Sequence, residues 1–175
     1  MRRPTNSFKE QIFPFITNAK RESTSTTNLR RAILQVLDEF DQKISSQGIQ
    51  TSVDVPESVE ADIDGAMFCS VLRTVCRDAI GSMETGGELS LTVYADPNGI
   101  ELEIADSRSG HLSTKKEYWI QSNLDPGSQN SRDAIADAHH FATTHGGSLK
   151  VQNCPEGGAA FTICLPSSIA VRNAA

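Results

Sequence analysis

The sequence predicts an α+β fold: a two-layer sandwich in which three helices cover one face of a mixed, mainly antiparallel sheet. Three observations lead there. Short stretches of alternating apolar and polar residues come in pairs joined by turn sequences, as hairpins require. Longer stretches repeat apolar residues at spacings of three and four, which places them on one stripe of a helix. The chain has 175 residues, 38% of them hydrophobic, enough to bury one sizeable core with an appendage.

In chain order, Ser7–Lys20 is a short amphipathic segment with Phe8, Ile12, Phe15 and Ile16 on its apolar side, capped by Ser7 and bent or ended at Pro14. Arg21–Thr27 is polar and rich in Ser and Thr, a linker composition. Asn28 caps a long helix from Leu29 to about Ser46, with Leu29, Ile33, Val36, Leu37, Phe40 and Ile44 on one face, and Gly48 stops it. Ile49–Val55 alternates as a strand, Pro56 interrupts, and Val59–Ile63 reads as a short edge strand.

The stretch from Asp64 to Gly110 is the centre of the chain. Met67, Val71, Leu72, Val75, Cys76, Ala79 and Ile80 form one helical stripe, which Gly86-Gly87 breaks. Glu88–Tyr94 and Ile100–Ala105 then alternate as a hairpin around Asp96-Pro97-Asn98-Gly99. The second strand runs into Asp106-Ser107-Arg108-Ser109-Gly110, a strand-end carboxylate beside a glycine loop, suited to holding a small polar ligand. From Gly110 to Gln129 no period is visible, so a long loop with a helical turn is predicted. Helical spacing returns over Ser131–Thr144 and ends at His145-Gly146-Gly147. Ser148–Gln152 and Ala159–Leu165 close the domain around Pro155-Glu156-Gly157-Gly158. The predicted organisation is therefore an N-terminal helix and linker over 1–27, one domain over 28–166 and a tail over 167–175.

Composition excludes several classes. A formal charge of −6 leaves no basic field for nucleic acid, and Arg2-Arg3 is too short for a binding arm. No apolar run approaches the ~18 residues of a membrane span, and no apolar segment follows the first charges as a secretion signal would. The cysteines Cys69, Cys76, Cys154 and Cys164 form no C-x-x-C pair and read as small apolar residues, in keeping with a reducing cytoplasm.

Several segments follow one known pattern in order. Val71-Leu72 and Ala79-Ile80, then Gly86-Gly87, then Ile104-Ala105-Asp106-Ser107 with Gly110, then His145-Gly146-Gly147-Ser148-Leu149-Lys150-Val151, and finally Pro155, Gly158, Phe161 and Leu165-Pro166 all fall at matching spacing. Over about Asn28 to Pro166 the chain resembles the ATP-binding catalytic domain of sensor histidine kinases, within the GHKL superfamily. The resemblance implies ATP and Mg²⁺ as ligands. It places Asp106 where the family's aspartate accepts the adenine amino hydrogen, and Gly110 at the last glycine of that motif. It places Asp78 where the family's helix carries a metal-binding asparagine; a carboxylate can also ligate Mg²⁺, though it adds negative charge beside phosphates.

The departures from the pattern are specific. Arg108 replaces the middle glycine of the adenine motif, where a glycine allows close approach to the nucleotide. The glycine run that would wrap backbone N–H groups around phosphates corresponds here to Asn130-Ser131-Arg132-Asp133-Ala134-Ile135. Ala159 stands where a threonine usually lies near adenine, and Thr74 lies one turn before Asp78. No histidine precedes the domain to act as a phosphoacceptor: His111, His139, His140 and His145 all lie inside it.

Each candidate has a plainer reading beside the functional one. Asp106 either holds a ligand or caps its own turn. Asp78 either ligates metal or is solvated or paired with Arg73 or Arg77. Arg108 either pairs with Asp106 or Asp78 or reaches a phosphate; Arg132 is either a phosphate contact or solvated. His139 and His140 are adjacent, so both cannot face one metal from a helix, and His145 belongs to its turn. Three functions follow: a degenerate kinase-like domain acting on partner signalling proteins with weak or absent ATP binding; a divergent Mg-ATP-dependent protein kinase; and a phosphotransfer adaptor. The N-terminal helices would support a homodimer.

Overall fold

The computed structural model describes residues 25–108, 118–119, 129–155 and 157–167. The segment Ser7–Lys20, Gly110, His111 and the tail beyond Ser167 lie outside the described residues. The described chain runs β1 (Ser25–Asn28), α1 (Leu29–Asp38), α2 (Asp41–Gln47), β2 (Ile49–Asp54), β3 (Glu60–Ile63), α3 (Gly65–Gly81), β4 (Gly87–Asp96), β5 (Gly99–Asp106), β6 (Tyr118–Trp119), α4 (Gln129–Thr144), β7 (Ser148–Asn153) and β8 (Ala159–Pro166).

One sheet has the order β2-β4-β5-β8-β7-β6. β2 pairs parallel with β4, and the other neighbours are antiparallel. The sheet is thus mixed and mainly antiparallel, and the α+β sandwich stands. α1, α3 and α4 supply the apolar layer: Ile33, Val36, Leu72, Val75, Ala138 and Phe141 are buried with Leu89, Leu91, Leu102, Ile104, Phe161 and Ile163 of the strands. Among the described residues no helix is long and apolar enough to cross a membrane.

Three boundaries differ from the sequence reading. The long helix predicted over Leu29–Ser46 is two helices, so four helices are described and not three. The Phe40 N–H bonds the Leu37 carbonyl three residues back (2.9 Å), which ends the i→i+4 ladder, and Phe40 then accepts from the N–H groups of Lys43 and Ile44. Glu39, at the break, receives both Nε and a terminal nitrogen of Arg73 at 2.7 Å. Secondly, Ser25–Thr27, read as linker, belongs to β1. It pairs antiparallel with β3, so β3 lies outside the main sheet. Thirdly, α3 stops at Gly81, before the Gly86-Gly87 pair expected to break it, and the Ser82 hydroxyl bonds back to the Asp78 carbonyl at 2.8 Å. Within the predicted long loop, Tyr118–Trp119 forms β6 against Val151 and Lys150.

Caps agree with the residue chemistry. Asn28 accepts from the Arg31 N–H and Asp64 from the Met67 N–H, each at 2.9 Å, at the starts of α1 and α3. The far end of α4 is tied to the start of α3 through His145. Its Nε2 accepts from the Asp64 N–H (3.2 Å), so Nδ1 carries the proton given to the Phe141 carbonyl (2.9 Å). The imidazole packs against Phe141 at a tilt of 43° (centroids 4.4 Å apart), and Phe141 in turn meets Phe68 at 5.7 Å.

Candidate functional site

Register brings the last residue of β5, Asp106, beside Leu89 of β4 and Ala159 of β8. Gly158, the residue before this return strand, has φ +97°, and a Cβ there would run into the backbone oxygen of Asp106. Glycine at this point lets the β7–β8 turn close over the end of β5. From the other side, α3 presents Asp78 on the turn before its end, flanked by buried Val75 and Ala79.

Between these two carboxylates lies the side chain of Arg108. Its Nε is 2.6 Å from Asp106 Oδ1 and one terminal nitrogen, Nη2, bonds Asp106 Oδ2, a two-pronged pairing. The same Nη2 donates to Asp78 Oδ2 at 3.0 Å, and Nη1 donates to the Ser82 hydroxyl at 3.0 Å. The Arg108 backbone N–H also donates to Asp106 Oδ1 (3.1 Å), so Asp106 caps its own turn as well. The remaining Asp78 oxygen, Oδ1, accepts from the Ser131 hydroxyl of α4 at 2.8 Å. Each of the four carboxylate oxygens therefore accepts at least one hydrogen bond.

The cluster is dry. The Arg108, Asp78 and Asp106 side chains are 7%, 2% and 2% exposed, and Ser131 is buried with them. Burial on its own would pull the Arg108 guanidinium pKa down. The hydrogen bonds and charges of Asp106 and Asp78 outweigh it and raise the pKa above the ordinary arginine value, so Arg108 keeps its charge. Two carboxylates share one guanidinium, and the Ser131 hydroxyl, donating to Asp78 Oδ1, stabilises the excess negative charge.

Of the residues singled out by sequence, Asp78, Asp106 and Arg108 converge. Gly110 lies outside the described residues, and Arg132 is exposed on α4. Asp78 is neither solvated nor paired with Arg73 or Arg77: it is buried against Arg108, while Arg73 is engaged with Glu39. Thr74 bonds Asp137 of α4 at 2.9 Å. Ser82 and Ser131 were not picked out as partners. Ser131 left a signal, because it shares the stripe of Ala134, Ile135 and Ala138 and is the polar residue on that apolar face. Among the described residues no group of three or more His, Cys, Asp or Glu side chains is arranged to hold a metal ion.

This α+β sandwich has the fold of the catalytic domains of histidine kinases. The catalytic domain of histidine kinase ThkA, in a nucleotide-free form, superimposes with a TM-score of 0.68 at 20% identity, covering 82% of this chain and 96% of that one. ThkA has also been solved in complex with the response regulator protein TrrA. In sequence the chain is similar to the sensor histidine kinase ZraS of Escherichia coli O157:H7, 25% identical over 119 residues, and to the sensor protein KdpD of Escherichia coli K12, 26% identical over 113 residues. These matches cover 68% and 62% of this chain but only 26% of ZraS and 12% of KdpD. No protein-family model matches the chain.

Proposed function

We propose that this chain is a histidine-kinase-like domain that works in signal transduction as a regulatory or protein-interaction module, with weak or absent ATP binding. The observation that carries this reading is the guanidinium of Arg108 between Asp78 and Asp106. Following the resemblance, Asp106 would read adenine and Asp78 would hold Mg²⁺. The residues as they stand do not fit either ligand. A cation already fills the space between the carboxylates, and a metal would have to displace a buried, multiply bonded guanidinium. Breaking such a pair leaves uncompensated buried charge at a cost of about 3–5 kcal/mol.

A domain whose predicted start at 28 moves back to Ser25 through the β1–β3 pairing and which ends at 166, a cytoplasmic setting and partner signalling proteins form part of the same reading. ThkA, which shares the fold, forms a complex with a response regulator, and a protein of that kind is the natural first partner to test here. Isothermal titration of the whole chain with Mg-ATP and with Mg-ADP tests the nucleotide half of the reading. No saturable heat is expected up to millimolar nucleotide; micromolar, Mg²⁺-dependent binding would overturn it in favour of a divergent working kinase. Pull-down with purified response regulators, using the chain as bait, tests the other half.

A further inference from the structure

Arg108 leaves β5 two residues after Asp106, and Ser131 lies in the first turns of α4. Both bond Asp78, one to each oxygen. The chain of contacts Asp106–Arg108–Asp78–Ser131 therefore links the end of β5, the flank of α3 and the start of α4, beside the Thr74–Asp137 bond that also joins α3 to α4. All four side chains are buried, and Ser82 completes the guanidinium's shell from the end of α3.

We infer that Arg108 is the resident ligand of this site: its guanidinium stands in for an external cation between Asp78 and Asp106 and, through Asp78, fixes the start of α4 without any small molecule. Two physical points support the role. Asp78 and Asp106 in one buried site would repel each other, so a cation between them is needed for both to stay charged. The guanidinium is the side chain whose donors lie in a flat fork matched to two carboxylates at once, and here it serves both.

This role rests on the reading proposed above, but it is tested on the nucleotide-free chain. Failure of that reading would appear as Mg-ATP heats; failure of this one would appear in amide exchange with no nucleotide present. The amides to follow are those of Asp133 to Ala136, the first that can bond back to carbonyls within α4. In Arg108→Ala their exchange should speed up by about tenfold or more relative to the wild type, with a lowered Tm. Ethylguanidinium at millimolar concentration should restore part of both in the variant and do nothing to the wild type, whereas the same concentration of sodium chloride should restore neither. Wild-type exchange in Arg108→Ala, or equal rescue by sodium chloride, would overturn the inference. If Arg108→Ala does not fold, Ser131→Ala carries the test, because it leaves Arg108 and Asp106 paired: faster exchange at the start of α4 with an otherwise wild-type pattern supports the link, and unchanged exchange there refutes it.

Discussion

The guanidinium of Arg108 lies 3.0 Å from the carboxylate of Asp78, although one follows the end of β5 and the other belongs to α3. This pairing, with the one to Asp106, gives two buried carboxylates a single shared cation. The substitutions at its two ends are not equivalent. Arg108→Met leaves two buried carboxylates without a cation and should cost about 3–5 kcal/mol of unfolding free energy. Asp78→Asn keeps the shape and one acceptor while removing the excess negative charge, and should cost less than about 1.5 kcal/mol. Urea unfolding of the two variants beside the wild type checks the order; equal losses would contradict it.

Gly158 and Gly48 both have positive φ, at +97° and +68°, but different surroundings. A Cβ at Gly48 meets nothing within 4 Å, so Gly48→Ala should cost about 1–2 kcal/mol for the left-handed backbone alone. A Cβ at Gly158 meets the backbone of Asp106, so Gly158→Ala should cost about 3 kcal/mol or more and displace the carboxylate that Arg108 holds. Thermal melts rank the pair, and a chemical-shift change at Arg108 Nε in Gly158→Ala, absent in Gly48→Ala, locates the second effect.

Cys76 gives the pH dependence a defined sign. Burial pushes its thiol from the ordinary 9.0 up to about 12. The folded chain therefore keeps this proton where the unfolded chain has lost it. The associated stability is fully present below pH 9.0 and is lost as pH rises from 9.0 toward 12. Within that window the wild type should lose up to about 1.4 kcal/mol per pH unit more than Cys76→Ala. Denaturant midpoints for both proteins, taken across the window, should converge as pH rises; parallel curves would contradict the burial of the thiol.

Much of the fold is legible in the residues because the signals are local. The stripe from Val71 to Ile80 buries as its spacing requires, Asn28 caps α1, Gly48 closes α2 in a left-handed turn, and the two hairpins fall close to their alternating stretches. The break at Glu39-Phe40 carries no glycine or proline, so nothing local marks it. β1 is a strand because Glu60–Ile63 offers it partners, and a Ser/Thr-rich run says nothing about a distant edge. The site is legible only in part for the same reason. Sequence narrows Arg108 to an ion pair or a phosphate contact, and the choice depends on Asp78 and Ser131, which only the folded chain brings within reach.

The central claim is that Arg108 occupies the cradle and stays there in the presence of nucleotide. The most direct measurement is the ¹⁵N–¹H signal of Arg108 Nε in the whole chain, recorded without nucleotide and with millimolar Mg-ATP. A sharp signal protected from exchange, unmoved by Mg-ATP and lost in Arg108→Lys, is the expected result. A signal that shifts or vanishes saturably at micromolar Mg-ATP would show the guanidinium giving way to a nucleotide and would contradict the account.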